Sequence, residues 1–389
     1  MRRLRGASIS LARSIRLLAG VMMAMPLLAL RPVVAVQVQQ IWGERLGHLA
    51  MEPELFLSKR AGRTDGKRSA TIFFFRGQPA NEYLAARWRK RLTVGPRGLL
   101  SPIYDASIRF PRISVRPKDW DVEHVDLRPL DVVPPRLSFS ALEAEQGANL
   151  LAHLGLDPGK PYVCLAVRDA SYLEALQPSR DWSYHDFRDS SISTYVDLAK
   201  TLVELGYGVV RMGKVVNGYF DVDEPTVVDY ANSDLRSDFG DVYLFANCAF
   251  CISTSTGMDA LAFCFRRPVG MVNLPGFDGL RLGETTKLVT FKHMRDRSSG
   301  RRLSLMEQQR LQAMRARRTD ELDQYGVILE ENSEQELADF GRQMHQLVQA
   351  AWKPLPGQLQ GEQDFLASVP WEHDMTPAHL HLSHSWFQP

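Results

Sequence analysis

The run Ser253-Thr254-Ser255-Thr256-Gly257 joins small, hydroxyl-bearing side chains to a glycine, and it carries the clearest chemistry in this chain. An apolar stretch, Ala249 to Ile252, precedes it, and a helical pattern, Met258 to Phe265, follows. A strand entering a helix through such a turn leaves backbone N–H groups unpaired at the helix start. Those donors, with the positive end of the helix dipole, suit a phosphate or diphosphate. The hydroxyls add donors, and Gly257 permits close backbone approach. Asp259, in the first helical turn, can accept hydrogen bonds from a ribose or sugar hydroxyl. An N-capped turn of any α/β domain has the same pattern, so the neighbouring strand ends must decide.

They point the same way. Arg168 and Asp169 close the apolar run 161–168, and Arg211, Gly213 and Lys214 close the run 207–213. In open α/β sheets, ligands bind beyond the carboxyl ends of the strands. Two arginines, a lysine and a helix start on one edge make a diphosphate site. The long loop 168–192 leaves that edge and brings Tyr172, His185, Asp186 and Arg188 as further donor contacts.

The elements that must position these residues alternate. The second half reads as strand 161–168, helix 191–205, strand 207–213, strand 226–232, helix 238–247, the opening strand–turn–helix, and a strand after Pro268. That alternation predicts an α/β fold with a parallel, doubly wound sheet. In the first half, strands are expected at Val33 to Gln39 and Thr71 to Gly77, with a helix from Asn81 to Lys90. The proline-rich stretch Pro96 to Pro135 shows only interrupted strands. A helix from Ser140 to Leu156 joins the halves, and Asp157-Pro158-Gly159 marks the boundary. The expected organisation is a basic and apolar segment 1–32, domains 33–157 and 158–350, and a tail 351–389 packing back. Lys292 to Arg318 reads as a charged loop with a solvated helix, and Asn332-Ser333 as the cap of a last helix.

Taken together, RDASY, HDFRD, YGVVRMGK and FCISTSTGMDALAF resemble a family of glycosyltransferases from bacterial surface-polysaccharide gene clusters. The resemblance extends to GERLGHLAMEPELFL and RGQPANEYLAARWRKR in the first half. It implies a GT-B-like fold of two facing Rossmann-like domains. The C-terminal domain would bind a nucleotide-sugar donor and the N-terminal one a saccharide or lipid-linked acceptor, without a cofactor or a catalytic metal. Gly47-His48 is similar to a Gly-His of some inverting GT-B enzymes, which implies that His48 is the general base. An imidazole suits that task, since its ordinary pKa lies near neutrality. Glu44 and Glu82 are the carboxylate alternatives. A nucleotide-sugar epimerase of the same architecture, or a non-catalytic nucleotide-sugar binding protein, would use the same diphosphate site.

Composition bounds these readings. The chain has 389 residues, 44% hydrophobic and 24% charged, with a net charge of +2. That is globular, long enough for two cores, and without the basic excess of a nucleic-acid binder. The basic residues gather at the start: Arg2, Arg3, Arg5, Arg13, Arg16 and Arg31 all precede Glu44, the first acidic residue. With the apolar run Leu17 to Leu30 they predict a membrane-surface element, a cleaved signal or a first core helix being the alternatives. Cys164, Cys248, Cys251 and Cys264 sit in or beside apolar runs and read as reduced core thiols, which fit a cytoplasmic protein on the inner face of the plasma membrane. His373, His379, His381 and His384 enrich the tail, without acidic or cysteine partners at the helical spacing that would support metal binding.

Overall fold

Parallel strands covered on both faces need apolar side chains on both, and the second half of the chain supplies them in short uninterrupted runs. The computed structural model describes residues 2–61, 69–118, 120, 126–171, 175, 178–179, 181–368 and 380–387. The chain divides into two compact units, Met1–Glu123 and His124–Pro389. The boundary expected at Asp157-Pro158-Gly159 falls inside the second unit.

In the first unit, β1 (Ala35–Trp42), β2 (Ser69–Arg76) and β3 (Thr93–Val94) form a parallel three-stranded sheet in that order. Helices α1 (Arg2–Ala29), α2 (Leu46–Ala61), α3 (Glu82–Arg91) and α4 (Arg97–Arg109) accompany it. The Asn81 side chain caps α3 by accepting from the Leu84 N–H at 2.8 Å. Helix α4 lies in the stretch where the sequence shows only interrupted strands, because Pro102 sits inside it. The apolar N-terminal run is the second half of α1. Its inner face is core: Ala24 is fully buried with Val38, Phe74, Leu100 and Ile103. A Cβ at Gly20 would lie 2.0 Å from the Pro102 carbonyl oxygen, so α1 approaches α4 this closely only through a glycine.

The second unit holds β4 (Tyr162–Ala166), β5 (Gly208–Arg211), β6 (Val227–Val228), β7 (Phe250–Ser253), β8 (Val269–Leu274), β9 (Thr286–Phe291), β10 (His293–Asp296), β11 (Val327–Glu330) and β12 (His381–Leu382). Seven strands form one sheet in the order β12-β9-β8-β7-β4-β5-β6. Every pairing in it is parallel. Among its helices are α5 (Ala141–His153), α6 (Val196–Glu204), α7 (Asp238–Asn247), α8 (Ala260–Cys264), α9 (Glu334–Val348) and α10 (Gln358–Ser368). Leu198 and Leu202 of α6 meet Phe340 and Met344 of α9 over Val163, Leu165, Phe250 and Ile252 of the sheet. Ser333 caps α9 in a reciprocal box with Glu336. Helix α5 belongs to this unit: a Cβ at Gly147 would sit 2.0 Å from Cζ of Tyr243.

The segment from Lys292 differs from its expected loop. It opens with β10, which pairs antiparallel with β11, so its charged side chains alternate with buried Met294. The tail adds β12 to the sheet edge beside β9, and Gln343 of α9 donates to Ser383 at 3.2 Å. Of the tail histidines, His381 lies 3.3 Å from Glu362, and burial holds His384 below the usual imidazole range. His373 and His379 lie outside the described residues. Among the described residues no group of three or more His, Cys, Asp or Glu side chains gathers as for a metal ion.

Candidate functional site

From β4 the chain winds outward through β5 to β6, then crosses back to β7 and winds the other way through β8 to β9. The direction reverses between β4 and β7, where Ala166 and Ser253 are register partners. A crevice opens beyond the strands at such a reversal, because the two connections leave on opposite sides. The Ser253–Gly257 turn and Arg168 lie there.

The turn is held largely by its own hydroxyls. The Thr254 N–H donates to the Ala166 carbonyl at 3.1 Å, and Thr254 Oγ1 accepts the Arg168 N–H at 2.8 Å. Ser255 has φ +60° and donates from Oγ to the Gly279 carbonyl at 3.0 Å. Thr256 Oγ1 accepts from the Met258 N–H at 3.1 Å. Ser253 Oγ donates to Asp259 at 2.8 Å. Asp259 therefore fixes the turn from below, and burial pushes it up to about 6 against the fields of Arg281 and Arg188. Thr256 and Gly257 face solvent in part, whereas Ser253, Thr254 and Ser255 are buried. Helix α8 has only five residues, so the turn's contribution to anion binding is local N–H geometry rather than a long dipole.

Cations surround it. The Arg188 Nη2 donates to the Ser255 carbonyl at 3.3 Å. Arg168 pairs with Asp189 at 3.2 Å. Lys292, just past β9, donates to the Asp189 carbonyl at 2.5 Å and is 5% exposed. Burial pushes the Asp189 carboxyl up to about 6, with Arg168 opposing the shift. Burial likewise lowers Lys292. The sequence reading holds Asp189 only within the HDFRD motif, without a role of its own, and assigns Lys292 and Arg281 no place in the site. Only the position of Lys292 directly after an apolar strand could have signalled it.

Other expected donor contacts are spoken for. Arg211 is 2% exposed. Its guanidinium donates to the carbonyls of Gly218 at 2.9 Å and Asn217 at 3.1 Å, and to Asp229 at 3.2 Å. It organises the loop after β5 instead of facing an open edge. Asp169 does similar work, accepting from the Ser171 N–H at 3.0 Å and the Asn217 N–H at 2.8 Å. At Gly213 a Cβ would lie 2.3 Å from Val216 Cγ1, so this glycine serves packing. Lys214 is exposed and its charge acts on Asp241, whose carboxyl burial pushes up to about 7. His185 stacks on Trp182 and lies tilted against Tyr184, with ring centroids 6.2 and 4.1 Å away. Asp186 is exposed on the same turn, and Tyr172 lies outside the described residues.

In the first unit, His48 stands in the opening turn of α2, just past β1. Its Nδ1 lies 2.8 Å from Oε1 of Glu52, one helical turn on. The Glu52 side chain is fully buried and that of His48 is 24% exposed. An ionised carboxylate only accepts, so an ionised Glu52 in this contact takes its proton from Nδ1 of the imidazole. The ring stacks on Trp42 at 5.1 Å, and the Arg76 guanidinium covers Trp42 at 4.4 Å while pairing with Glu44 at 3.0 Å. Glu44 is thus committed to Arg76. Glu82 lies 3.4 Å from Arg89. The sequence reading missed Glu52, although its spacing of four from His48 on a helix was the available signal.

No family model and no curated protein matches the chain. Solved structures resemble it distantly, three of them as follows. A glycosyl transferase family 9 protein from Veillonella parvula has a TM-score of 0.44 and 10% identity, over 80% of this chain and 96% of that one. The ADP-heptose lipopolysaccharide heptosyltransferase II of E. coli has a TM-score of 0.30 and 16% identity, over 60% and 84%. The iron-containing dodecameric glycosyltransferase TibC of enterotoxigenic E. coli has a TM-score of 0.34 and 14% identity, over 66% and 62%. Likenesses this distant assign no activity, and the residues above carry the functional argument.

Proposed function

We propose that the chain is a glycosyltransferase, moving a sugar from a nucleotide-sugar donor to a saccharide or lipid-linked acceptor in surface-polysaccharide synthesis. One observation carries the reading: Arg168, Arg188 and the Ser253–Gly257 turn converge where the winding of the large sheet reverses. On this reading the second unit binds the donor diphosphate there. The first unit supplies the base, in the GT-B arrangement that the family resemblance implies. The acceptor oxygen bonds to the anomeric carbon as the carbon–oxygen bond to the diphosphate breaks. His48 Nε2 takes the acceptor proton, and buried Glu52 steadies the imidazolium that forms. Arg168 and Arg188 neutralise the departing diphosphate, so the scheme calls on no metal. The reading includes a cytoplasmic location and contact of residues 1–31 with the inner face of the plasma membrane.

Incubation with a panel of UDP-, GDP-, ADP- and dTDP-sugars tests this. Slow nucleotide release, stimulated by acceptor, is the expected result. Epimer formation without release, or binding without turnover, refutes transfer. His48→Ala is expected to lower turnover ~10²- to 10⁴-fold while donor affinity stays near wild type. Unchanged turnover removes His48 as the base.

A further inference from the structure

Helix α1 is apolar on two faces, and α4 covers only one of them. On the outer face Ile15, Leu18, Met22 and Met25 are 60%, 62%, 66% and 54% exposed. Their spacing of three, four and three residues aligns them in one stripe. Beside the stripe, at the end of α4, Ile108 is 52% and Phe110 43% exposed. A groove lined by Val21 and by Arg109, Phe110, Pro111, Arg112 and Ile113 joins the two helices. So long an apolar strip on a soluble surface calls for a partner.

Charge indicates which partner. Arg13, Arg16, Arg109 and Arg112 are exposed around the stripe. The carboxylate facing them, Asp105, already pairs with Arg16 at 2.9 Å. A second copy of the chain docked here by a two-fold would bring like charges together. A surface rich in phosphodiesters would neutralise them. The span Ala12–Ala29 is apolar enough to cross a bilayer. The burial of Ala24 and the tight contact of Gly20 with Pro102 instead hold α1 lengthwise against its own unit. That geometry favours lying in the interface over spanning it.

We propose that this composite face docks on an anionic phospholipid membrane. The α1 stripe lies in the acyl boundary, and Arg109 and Arg112 take headgroup phosphates at the groove. The proposal deepens the membrane contact named above, extends it beyond residues 1–31 to the corner of α4, and stands apart from the sugar-transfer chemistry.

Flotation of the full chain with phosphatidylcholine vesicles, with and without about one-third phosphatidylglycerol, tests it. Binding is expected only with phosphatidylglycerol, and about 0.5 M salt should weaken it severalfold. Met22→Glu should lower vesicle binding about tenfold or more, because the stripe can no longer enter the apolar layer. The pair Arg109→Ala and Arg112→Ala should lower it about tenfold to thirtyfold. These side chains are exposed, so thermal melting and nucleotide release in vesicle-free solution should stay at wild-type values. Equal binding to neutral vesicles overturns the proposal, as does full binding by Met22→Glu. Retention on vesicles through an alkaline carbonate wash would show a spanning helix and overturn it too. A dimer in sedimentation velocity that Met22→Glu dissolves would assign the face to a second copy. A wild-type chain that binds vesicles but releases no nucleotide would sink the transfer reading and leave docking intact.

Discussion

Replacing Asp259 with asparagine should stabilise the protein, and only above a definite pH. The carboxyl is 6% exposed beneath the Ser253–Gly257 turn, and burial raises it from 3.8 to about 6 despite Arg281 and the Ser253 hydroxyl. Between those two pH values the folded chain holds a proton that the unfolded chain has lost. Stability from this group is therefore full below about pH 4 and is lost as pH rises through 6. At pH 8 the ionised, buried carboxylate costs about two pKa units, or ~3 kcal/mol. Asparagine stays neutral at every pH, and its Oδ1 can still accept the Ser253 proton. Its amide group loses the second oxygen's contact with the Thr256 N–H, which returns ~1 kcal/mol. The expected gain at pH 8 is thus about 2 kcal/mol, with a melting temperature higher by roughly 4–8 °C. Near pH 4, where Asp259 is itself neutral in the folded chain, the gain should vanish and the lost contact should leave the variant about 1 kcal/mol less stable. Thermal and urea melts of both proteins from pH 4 to 8 provide the measurement. Destabilisation at pH 8, or a difference that ignores pH, would refute the desolvation argument.

Other perturbations separate structure from binding. Arg211→Met leaves Asp229 without its counter-charge and takes a donor from the Gly218 and Asn217 carbonyls, and should cost about 3–5 kcal/mol while making residues 214–219 sensitive to protease. Its folded fraction should nevertheless bind nucleotide diphosphate far better than Arg168→Ala, expected to lose about tenfold to a hundredfold in titration calorimetry. Gly147→Ala drives a methyl into the Tyr243 ring and should cost about 1–3 kcal/mol in a urea melt. All four cysteines are buried, and desolvation raises Cys164 and Cys251 well above the usual thiol range. A thiol reagent such as Ellman's should therefore label the native chain hardly at all and the unfolded chain at every cysteine.

The parallel sheet of the second unit was legible because β4, β7 and β8 are apolar on both faces and so stand out as runs. The reversal point was legible for the same reason, since the residues ending those runs must meet. What a strand-end charge does next is not written locally. Arg168 and Arg211 each leave a buried strand, yet Arg168 bonds the turn through its backbone N–H and pairs its guanidinium with Asp189, whereas Arg211 is captured by the carbonyls of its own loop. That difference depends on how Asn217 and Gly218 fold back. Helix α4 was hidden by Pro102, and Glu52 went unread although it lies one helical turn beyond His48, because a carboxylate beside core positions carries no local mark of its burial. Strand β10 was hidden because His293, Arg295 and Asp296 disguise an antiparallel pairing that only β11 reveals.

The order of the large sheet bears on how the protein is made. Phe291, at the end of β9, is enclosed by Phe365 of α10 and by Trp386, at centroid distances of 5.6 and 5.1 Å. The strand that borders β9, β12, comes from the same late stretch of sequence. While a ribosome is still translating that stretch, β9 has an open edge and Phe291 lacks the cover of Phe365 and Trp386. The nascent chain thus passes through a stage with a sticky, half-paired strand, which is where chaperones act and where a premature stop would leave it.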